Sequence, residues 1–322
     1  VTGATGLLGN NLARIAAALG DDVTTLSRSS HDHPSLVGIG GKHIRADLCD
    51  PDLSERLAGL EFDCVIHSAA MIHIGWRRQS ESLLVNQGGT QKIVDWARDR
   101  RIRGIYVSTV NTLPIGAPNS PRTEKCVGDG QIASAYVVSK RAAQQVIDRA
   151  VEDGQDWYSV FPGFMLGPYD WQLSSGRMVL ALRRFQPWAP SGGCSVCDPR
   201  DVASGMLRLA REGATERRYI LAGENLTYFE LWSRIANRLG TRPPAVAMRR
   251  PARVIGPILA DALSLLRREE SDFNSAAIRM GQQHHYYSSE LANKHFEYKS
   301  RPAEDSIQDA IQWLREVGHL SR

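Results

Sequence analysis

Three glycines at an even spacing, Gly3, Gly6 and Gly9, open the chain within VTGATGLLGNNLARIAAALG. An apolar residue precedes them. A helical apolar rhythm (LARIAAAL, 12–19) follows and stops at Gly20. Glycines so placed, between a strand and a helix, each do a separate job. The first permits the turn, the second lets backbone approach a phosphate-bearing ligand, and the third lets helix and strand pack closely. The helix N-terminus then presents unpaired N–H groups to an anion.

The next 150 residues keep the same alternation. DVTTL (22–26), KHIRADL (42–48), FDCVIHSAA (62–70), IRGIYVST (102–109) and DWYSVFP (156–162) read as strands. SLLVNQGGTQKIVDWARD (82–99) and SAYVVSKRAAQQVIDRAVEDG (134–154) read as helices, the first with a weak point at Gly88–Gly89. This rhythm predicts an α/β fold, a Rossmann-type doubly wound parallel sheet that binds its ligand beyond the carboxyl ends of the strands. From Gly163 onward the strands shorten, and 201–213, 227–240 and 303–318 read as helices. The predicted organisation is a dinucleotide-binding domain over 1–165 and a smaller mixed α/β substrate-binding part over 166–322, some of which packs back on the sheet.

Composition excludes several classes. A net charge of +4 over 322 residues is too mild for nucleic-acid binding, and RDRRIR (98–103) and MRRPAR (248–253) read as solvated helix ends and loops. The five cysteines are odd in number and scattered, which fits a reducing cytoplasm. CSVC (194–197) lacks a second ligand pair, so no metal is expected there, and it reads as an alternating strand. The longest apolar run, 254–266, is short and contains Asp261, so it predicts no membrane span but a helix packed over a cleft or an oligomer contact.

YVVSK (136–140) carries the chemistry. Tyr136 and Lys140 are four apart on a predicted helix and share a face. A nearby ammonium favours a phenolate, so Lys140 is expected to lower the Tyr136 pKa and fit it for proton exchange with a carbonyl or alcohol oxygen. Strand 102–109 ends in Ser108 and Thr109, with Thr112 just beyond.

These pieces together resemble the extended short-chain dehydrogenase/reductases, the NAD-dependent epimerase/dehydratase superfamily, closest in pattern to dihydroflavonol 4-reductases and 3β-hydroxysteroid dehydrogenases. VTGATGLLG resembles the TGxxGxxG signature, which implies cofactor contacts from Gly3, Thr5, Gly6, Leu7, Leu8 and Gly9. Family members carry a few residues before this point, so the chain is expected to lack its initiator methionine and part of the first strand. ADLCD resembles the adenine-contacting pair, here Asp47 and Leu48. HSAA resembles the small-residue turn under the cofactor, here Ser68, Ala69 and Ala70. VNQGGT resembles the VNxxGT helix segment, which implies that Asn86 is structural or near the site. PGFMLGP resembles the segment bordering the nicotinamide, here Pro162, Gly163 and Met165. DPRDVA (198–203) and the stretch 290–314 resemble the substrate half and the C-terminal end of the family.

The resemblance implies a catalytic Thr109, Tyr136 and Lys140, with Ser108 the alternative to Thr109 and Lys140 also bonding the cofactor ribose. Arg28, in TTLSRSS where no acid ends the strand, implies NADP(H) in preference to NAD(H). Sugar-nucleotide members carry Arg-Pro-x-Asn where this chain has Phe161-Pro162-Gly163-Phe164, a departure that favours a less polar substrate. Trp171, Phe185, Trp188, Tyr286 and Tyr287 are further aromatics of the substrate half, and HHYY (284–287) is a candidate cleft lining. The expected activity is interconversion of a ketone and a secondary alcohol on a small molecule. The alternatives are a sugar-nucleotide epimerase or dehydratase with tightly held NAD, and a non-catalytic cofactor-binding regulator. The family often dimerises through the helices at 82–99 and 134–153, so a homodimer is possible.

Overall fold

The computed structural model describes residues 1–126, 131–248 and 274–321. The element order begins α1 (Leu7–Ala18), β1 (Thr24–Ser27), β2 (Lys42–Arg45), α2 (Leu53–Arg56) and β3 (Cys64–His67). A long helical stretch follows as α3 (Gln79–Leu83), a π turn (Leu84–Gly88) and α4 (Gly89–Arg100), then β4 (Arg103–Val107), α5 (Ala135–Glu152) and β5 (Trp157–Pro162). The second half contributes β6 (Phe164–Met165), α6 (Gly176–Ala181), β7 (Trp188–Ala189), β8 (Gly193–Cys197), α7 (Pro199–Glu212), β9 (Arg218–Leu221) and β10 (Glu224–Thr227). It ends with α8 (Tyr228–Leu239), β11 (Val246–Ala247), α9 (Ser275–Met280), β12 (His284–His285), α10 (Glu290–Phe296) and α11 (Ala303–Glu316).

The main sheet is parallel throughout. β1 pairs with β2, and β3, β4, β5 and β9 follow one another on the other side. Thr2 joins the two sets through parallel bridges to Leu26 and His67. Successive side chains of a strand face opposite ways, and each face here has its own core. Ile105 and Val107 meet Leu12 of α1 and Val202 and Met206 of α7, while Tyr106 meets Ile93 of α4 and Ile147 of α5. Helices therefore cover both faces, as the alternating pattern predicts.

The second part is not contiguous. α7 and β9 return to the main sheet, while β10, β8, β12 and β6 form a second sheet over which α6, α8 and α11 pack. A buried carboxylate ties these pieces together. Asp198 caps α7 through the Arg200 N–H, takes two bonds from the Arg200 guanidinium (2.7 and 2.8 Å) and accepts from Ser306 at the start of α11.

Some details differ from the sequence reading. The helix expected at 82–99 starts at Gln79 and passes through Gly88–Gly89 without breaking. A Cβ on Gly89 would lie 2.8 Å from Leu48 Cβ, so this glycine lets the helix press on the strand end. CSVC is a strand but does not alternate: β8 is buried along its whole length, because sheet partners flank it and helices cover it. The apolar run 254–266, and MRRPAR beyond Met248, lie outside the described residues.

Candidate active site

The three opening glycines take three different positions. Gly3 has φ +73°, and a Cβ there would lie 2.8 Å from Ala69 Cα. A Cβ on Gly9 would fall 2.3 Å from the Gly3 carbonyl oxygen, so α1 can sit on the turn only without one. Gly6 is the permissive one: its nearest neighbour would be the same oxygen at 3.4 Å, and its outer side is clear. Gly6 ends the turn as the α1 N-cap, with no side-chain cap and no acid in the first turn. Those first N–H groups and the helix dipole make a site for a phosphate. The side chains of Leu7 and Leu8 are buried in the core, so only their main chain faces it, and Thr5 lies half-buried in the turn.

The turn after β3 is fixed by a residue the sequence reading passed over. Thr2 Oγ1 accepts from the main-chain N–H groups of Ser68 and Ala69, both at 3.1 Å, and lies 2.8 Å from His67 Nδ1. Its own proton therefore goes to Nδ1. His67 Nε2–H then donates to Thr90 Oγ1 (3.1 Å), and Thr90 donates to the Asn86 carbonyl (2.6 Å). Full burial holds the ring neutral, with its pKa pushed down to about 3. The signal was present in FDCVIHSAA: a histidine on an apolar strand needs a partner for each ring nitrogen.

Asp47 and Leu48, the expected adenine contacts, follow β2. Asp47 accepts from the Cys49 N–H (2.8 Å), and Leu48 is buried beneath Gly89. Arg28 follows β1, 81% exposed in its side chain and 3.9 Å from the Asp47 carboxylate. Beside it, the Ser27 hydroxyl is buried and has no hydrogen-bond partner.

Thr109 leaves the carboxyl end of β4 and Tyr136 is the second residue of α5, whose N-cap is Ser134. The Thr109 hydroxyl stands beside the Tyr136 hydroxyl, where it favours the phenolate. Ser108, the alternative, has a buried hydroxyl with no partner, and Thr112 donates to the Thr109 carbonyl (2.8 Å). Lys140 Nζ donates to the Val107 carbonyl at 2.6 Å and stands 4.2 Å from the Tyr106 ring centroid. Burial dominates both groups: it pushes Tyr136 up to about 12, opposed only by the Thr109 hydroxyl, and Lys140 down to about 7. The depression of the Tyr136 pKa expected from Lys140 is therefore absent in the free chain, where the ammonium is spent on Val107 and Tyr106.

Asn86 sits in the π turn, a feature that often marks a functional helix. Its amide brackets the main chain of Met71 (2.7 and 3.0 Å) and donates to Ser139, which donates to the Tyr136 carbonyl. Pro162 ends β5, and Gly163 and Met165 line up half-buried beyond it. Of the two departures from the sugar-nucleotide pattern, Phe161 is core, packed with Ile220 and Tyr287, while Phe164 is half-buried on β6.

The expected aromatics scatter. Trp171 meets Trp313 edge-on, Phe185 and Trp188 are exposed, and Tyr286 is buried. Tyr287 is also buried, and its hydroxyl lies 3.0 Å from the carbonyls of both Val110 and Pro114, in the loop that follows Thr109.

Residues 1–222 match the family model described as NAD dependent epimerase/dehydratase family. A Synechocystis protein whose name provisionally assigns it as dihydroflavonol 4-reductase is 28% identical, with 99% of this chain and 95% of that one aligned. Sterol demethylase protein B of Methylococcus capsulatus is 27% identical, with 99% of each aligned. A Stigmatella aurantiaca ketoreductase, named for a 4-farnesyl-dihydroquinoline-1-oxide, is 30% identical over 69% of this chain and 66% of its own. Among solved structures, PA4631, titled a nucleoside-diphosphate-sugar epimerase from Pseudomonas aeruginosa, superposes with TM-score 0.77 at 27% identity, covering 99% and 98% of the two chains. With the parallel sheet and the glycine turn already in hand, the match over 1–222 places this chain in the NAD-dependent epimerase/dehydratase family of oxidoreductases.

Proposed function

We propose that this chain is an NADPH-dependent reductase that converts a ketone on a low-polarity small molecule to a secondary alcohol, with Tyr136 as proton donor. One observation supports a proton-donating role: the Tyr136 phenol stands beside the Thr109 hydroxyl at the carboxyl end of β4, and burial pushes its pKa up, so it holds its proton at neutral pH. A reductase needs that proton at the start of the reaction, whereas an oxidising enzyme needs it gone.

The chain's residues fit a nicotinamide dinucleotide. The uncapped N-terminus of α1 would hold the pyrophosphate, with Gly6 leaving room for it. Ser68, Ala69 and Ala70 are small enough to lie under it. Arg28 and the unpartnered Ser27 hydroxyl suit a 2′-phosphate, and β1 does not end in the acid that would bind a free ribose hydroxyl. The bound cofactor supplies a hydride to the carbonyl carbon. Thr109 holds the carbonyl oxygen, and Tyr136 donates its proton to that oxygen. The phenolate left behind is stabilised by the Thr109 hydroxyl and, once formed, draws on the Lys140 charge that Val107 and Tyr106 hold in the free chain. Phe164, in place of a polar residue, together with the sterol and farnesyl names of two relatives, supports a hydrophobic substrate.

The likeness to PA4631 keeps a second reading, sugar-nucleotide epimerisation, in view. The two differ in balance: a reductase consumes reduced dinucleotide in proportion to product, and an epimerase consumes none. The test is Tyr136→Phe with NADPH and a panel of cyclic and prenylated ketones. Turnover should fall at least ~100-fold, with NADPH affinity unchanged within about twofold, because the ring stays and only the hydroxyl leaves. Retained turnover in that variant would rule out the assigned proton donor.

A further inference from the structure

Among the described residues, β7 pairs in parallel with β11 and with no other strand, so that Trp188 stands beside Val246. This small pair carries the largest exposed apolar side chains of the second lobe: Trp188 is 61% exposed, and Phe185 and Val246 are exposed with it. Arg242 lies over the Phe185 ring, 4.9 Å from its centroid. Arg183 and Arg184, at the end of α6, are exposed in the same stretch. Arg183 reaches only the His319 carbonyl, and among the described residues none of these three arginines has a carboxylate partner.

The charge pattern behind the patch is one-sided. No Asp or Glu occurs from Trp171 to Cys197, nor from Leu231 to Met248. Arg234 and Arg238 pair with acids from elsewhere in the chain, Glu224 and Glu304. Exposed indole and phenyl rings set among guanidinium groups that have no carboxylate partner among the described residues match one kind of surface well. Tryptophan settles at the headgroup level of a bilayer, and arginine stems lie along apolar surface while their heads bond phosphates. We infer that the Phe185–Trp188 and Arg242–Val246 surface docks this protein on an anionic lipid bilayer. A protein that works on sterol-like or prenylated ketones would meet its substrate there. That motive rests on the function proposed above, while the docking itself does not.

The test reads binding and not turnover. Flotation with phosphatidylcholine vesicles, with and without phosphatidylglycerol, compares the whole chain with R183E/R184E and with F185S/W188S. Each arginine near an anionic surface contributes about fivefold in affinity, so the charge reversal should weaken binding to the anionic vesicles at least ~10-fold, and added salt should weaken it further. F185S/W188S should bind more weakly at every salt concentration, and its loss of quenching by brominated lipid would place the indole at the headgroups. Both pairs are exposed, so thermal melting should match the parent and separate lost docking from lost folding. Failure of the parent to bind anionic vesicles overturns the inference. So does binding that both variants retain, which would assign the contact to another surface, or a patch that drives concentration-dependent self-association in place of lipid binding.

Discussion

Thr2 and His67 are joined by one committed proton. The Thr2 hydroxyl, 2.8 Å from Nδ1, already accepts two main-chain N–H groups of the turn after β3, so the ring must accept from it and donate from Nε2 to Thr90. Protonating the ring breaks this order, because an imidazolium cannot accept at Nδ1. The His67 pKa falls from 6.5 in the unfolded chain to about 3 in the fold. Between those values the unfolded state binds more protons, so the stability contributed by neutral His67 is present above pH 6.5 and is lost as pH falls toward 3. Urea unfolding across that window should show midpoints dropping with acid. His67→Gln should flatten the profile, since glutamine has no proton to gain. An equal slope in the variant would assign the acid sensitivity elsewhere.

Lys140 gives the opposite end of the pH scale. Burial lowers its pKa from 10.5 to about 7, so between those values the unfolded chain again holds the extra proton. Stability should therefore rise as pH climbs from about 7 toward 10. Tyr136, raised from 10.0 to about 12, reverses this above pH 10, where the unfolded chain loses its phenolic proton first. The measurement is the difference in unfolding free energy between the parent and Lys140→Met at each pH. It should shift steadily from about pH 7 to about pH 10, while turnover is lost in the variant at every pH. A constant difference would mean that the ammonium is not penalised by its site.

Most of the frame was legible in the sequence because it rests on local rules. The glycine spacing, the strand–helix alternation and the i,i+4 spacing of Tyr136 and Lys140 each depend on residues near one another in the chain. The sequence could not reveal what depends on distant partners. His67 became informative only when Thr2 and Thr90, 65 and 23 residues away, were placed against its two nitrogens. The Tyr136 pKa was misjudged because its sign depends on how far burial outweighs the ammonium, and on Val107 and Tyr106 claiming that ammonium first. Tyr287 read as cleft lining, since an aromatic pair in a loop-rich half gives no sign of which carbonyls its hydroxyl will meet.

Tyr287 supports Thr109 at second hand. Its hydroxyl serves the carbonyls of Val110 and Pro114, and Gln131 donates both to that hydroxyl (3.1 Å) and to the Leu113 carbonyl (2.8 Å). Three carbonyls of the loop after Thr109 thus hang on two side chains. Tyr287→Phe should cost about 1–3 kcal/mol of stability, the price of leaving buried polar groups unpaired. It should also lower kcat roughly 10-fold through small misplacement of Thr109, while NADPH affinity holds, because the glycine turn and the Ser68–Ala70 turn lie elsewhere. A fall in affinity with kcat preserved would contradict the positioning role.

Arg28 is the sharpest probe of cofactor choice because the fold asks nothing else of it. Its side chain is exposed, and the Asp47 carboxylate stands at 3.9 Å, too far for a strong bond. Arg28→Ala should therefore leave the unfolding midpoint unchanged. Charge-assisted bonds to a phosphate are worth about 1.5–3 kcal/mol, so NADPH binding should weaken roughly 10- to 100-fold while NADH binding stays put. Ser27→Ala adds a second, smaller reading: its hydroxyl is buried without a partner, so removing it should not destabilise the chain and should reduce NADPH affinity alone. Fluorescence titration of both dinucleotides against the three proteins decides the matter. Equal losses for NADPH and NADH would place Arg28 on the shared pyrophosphate and adenosine, and the preference for the 2′-phosphate would fall.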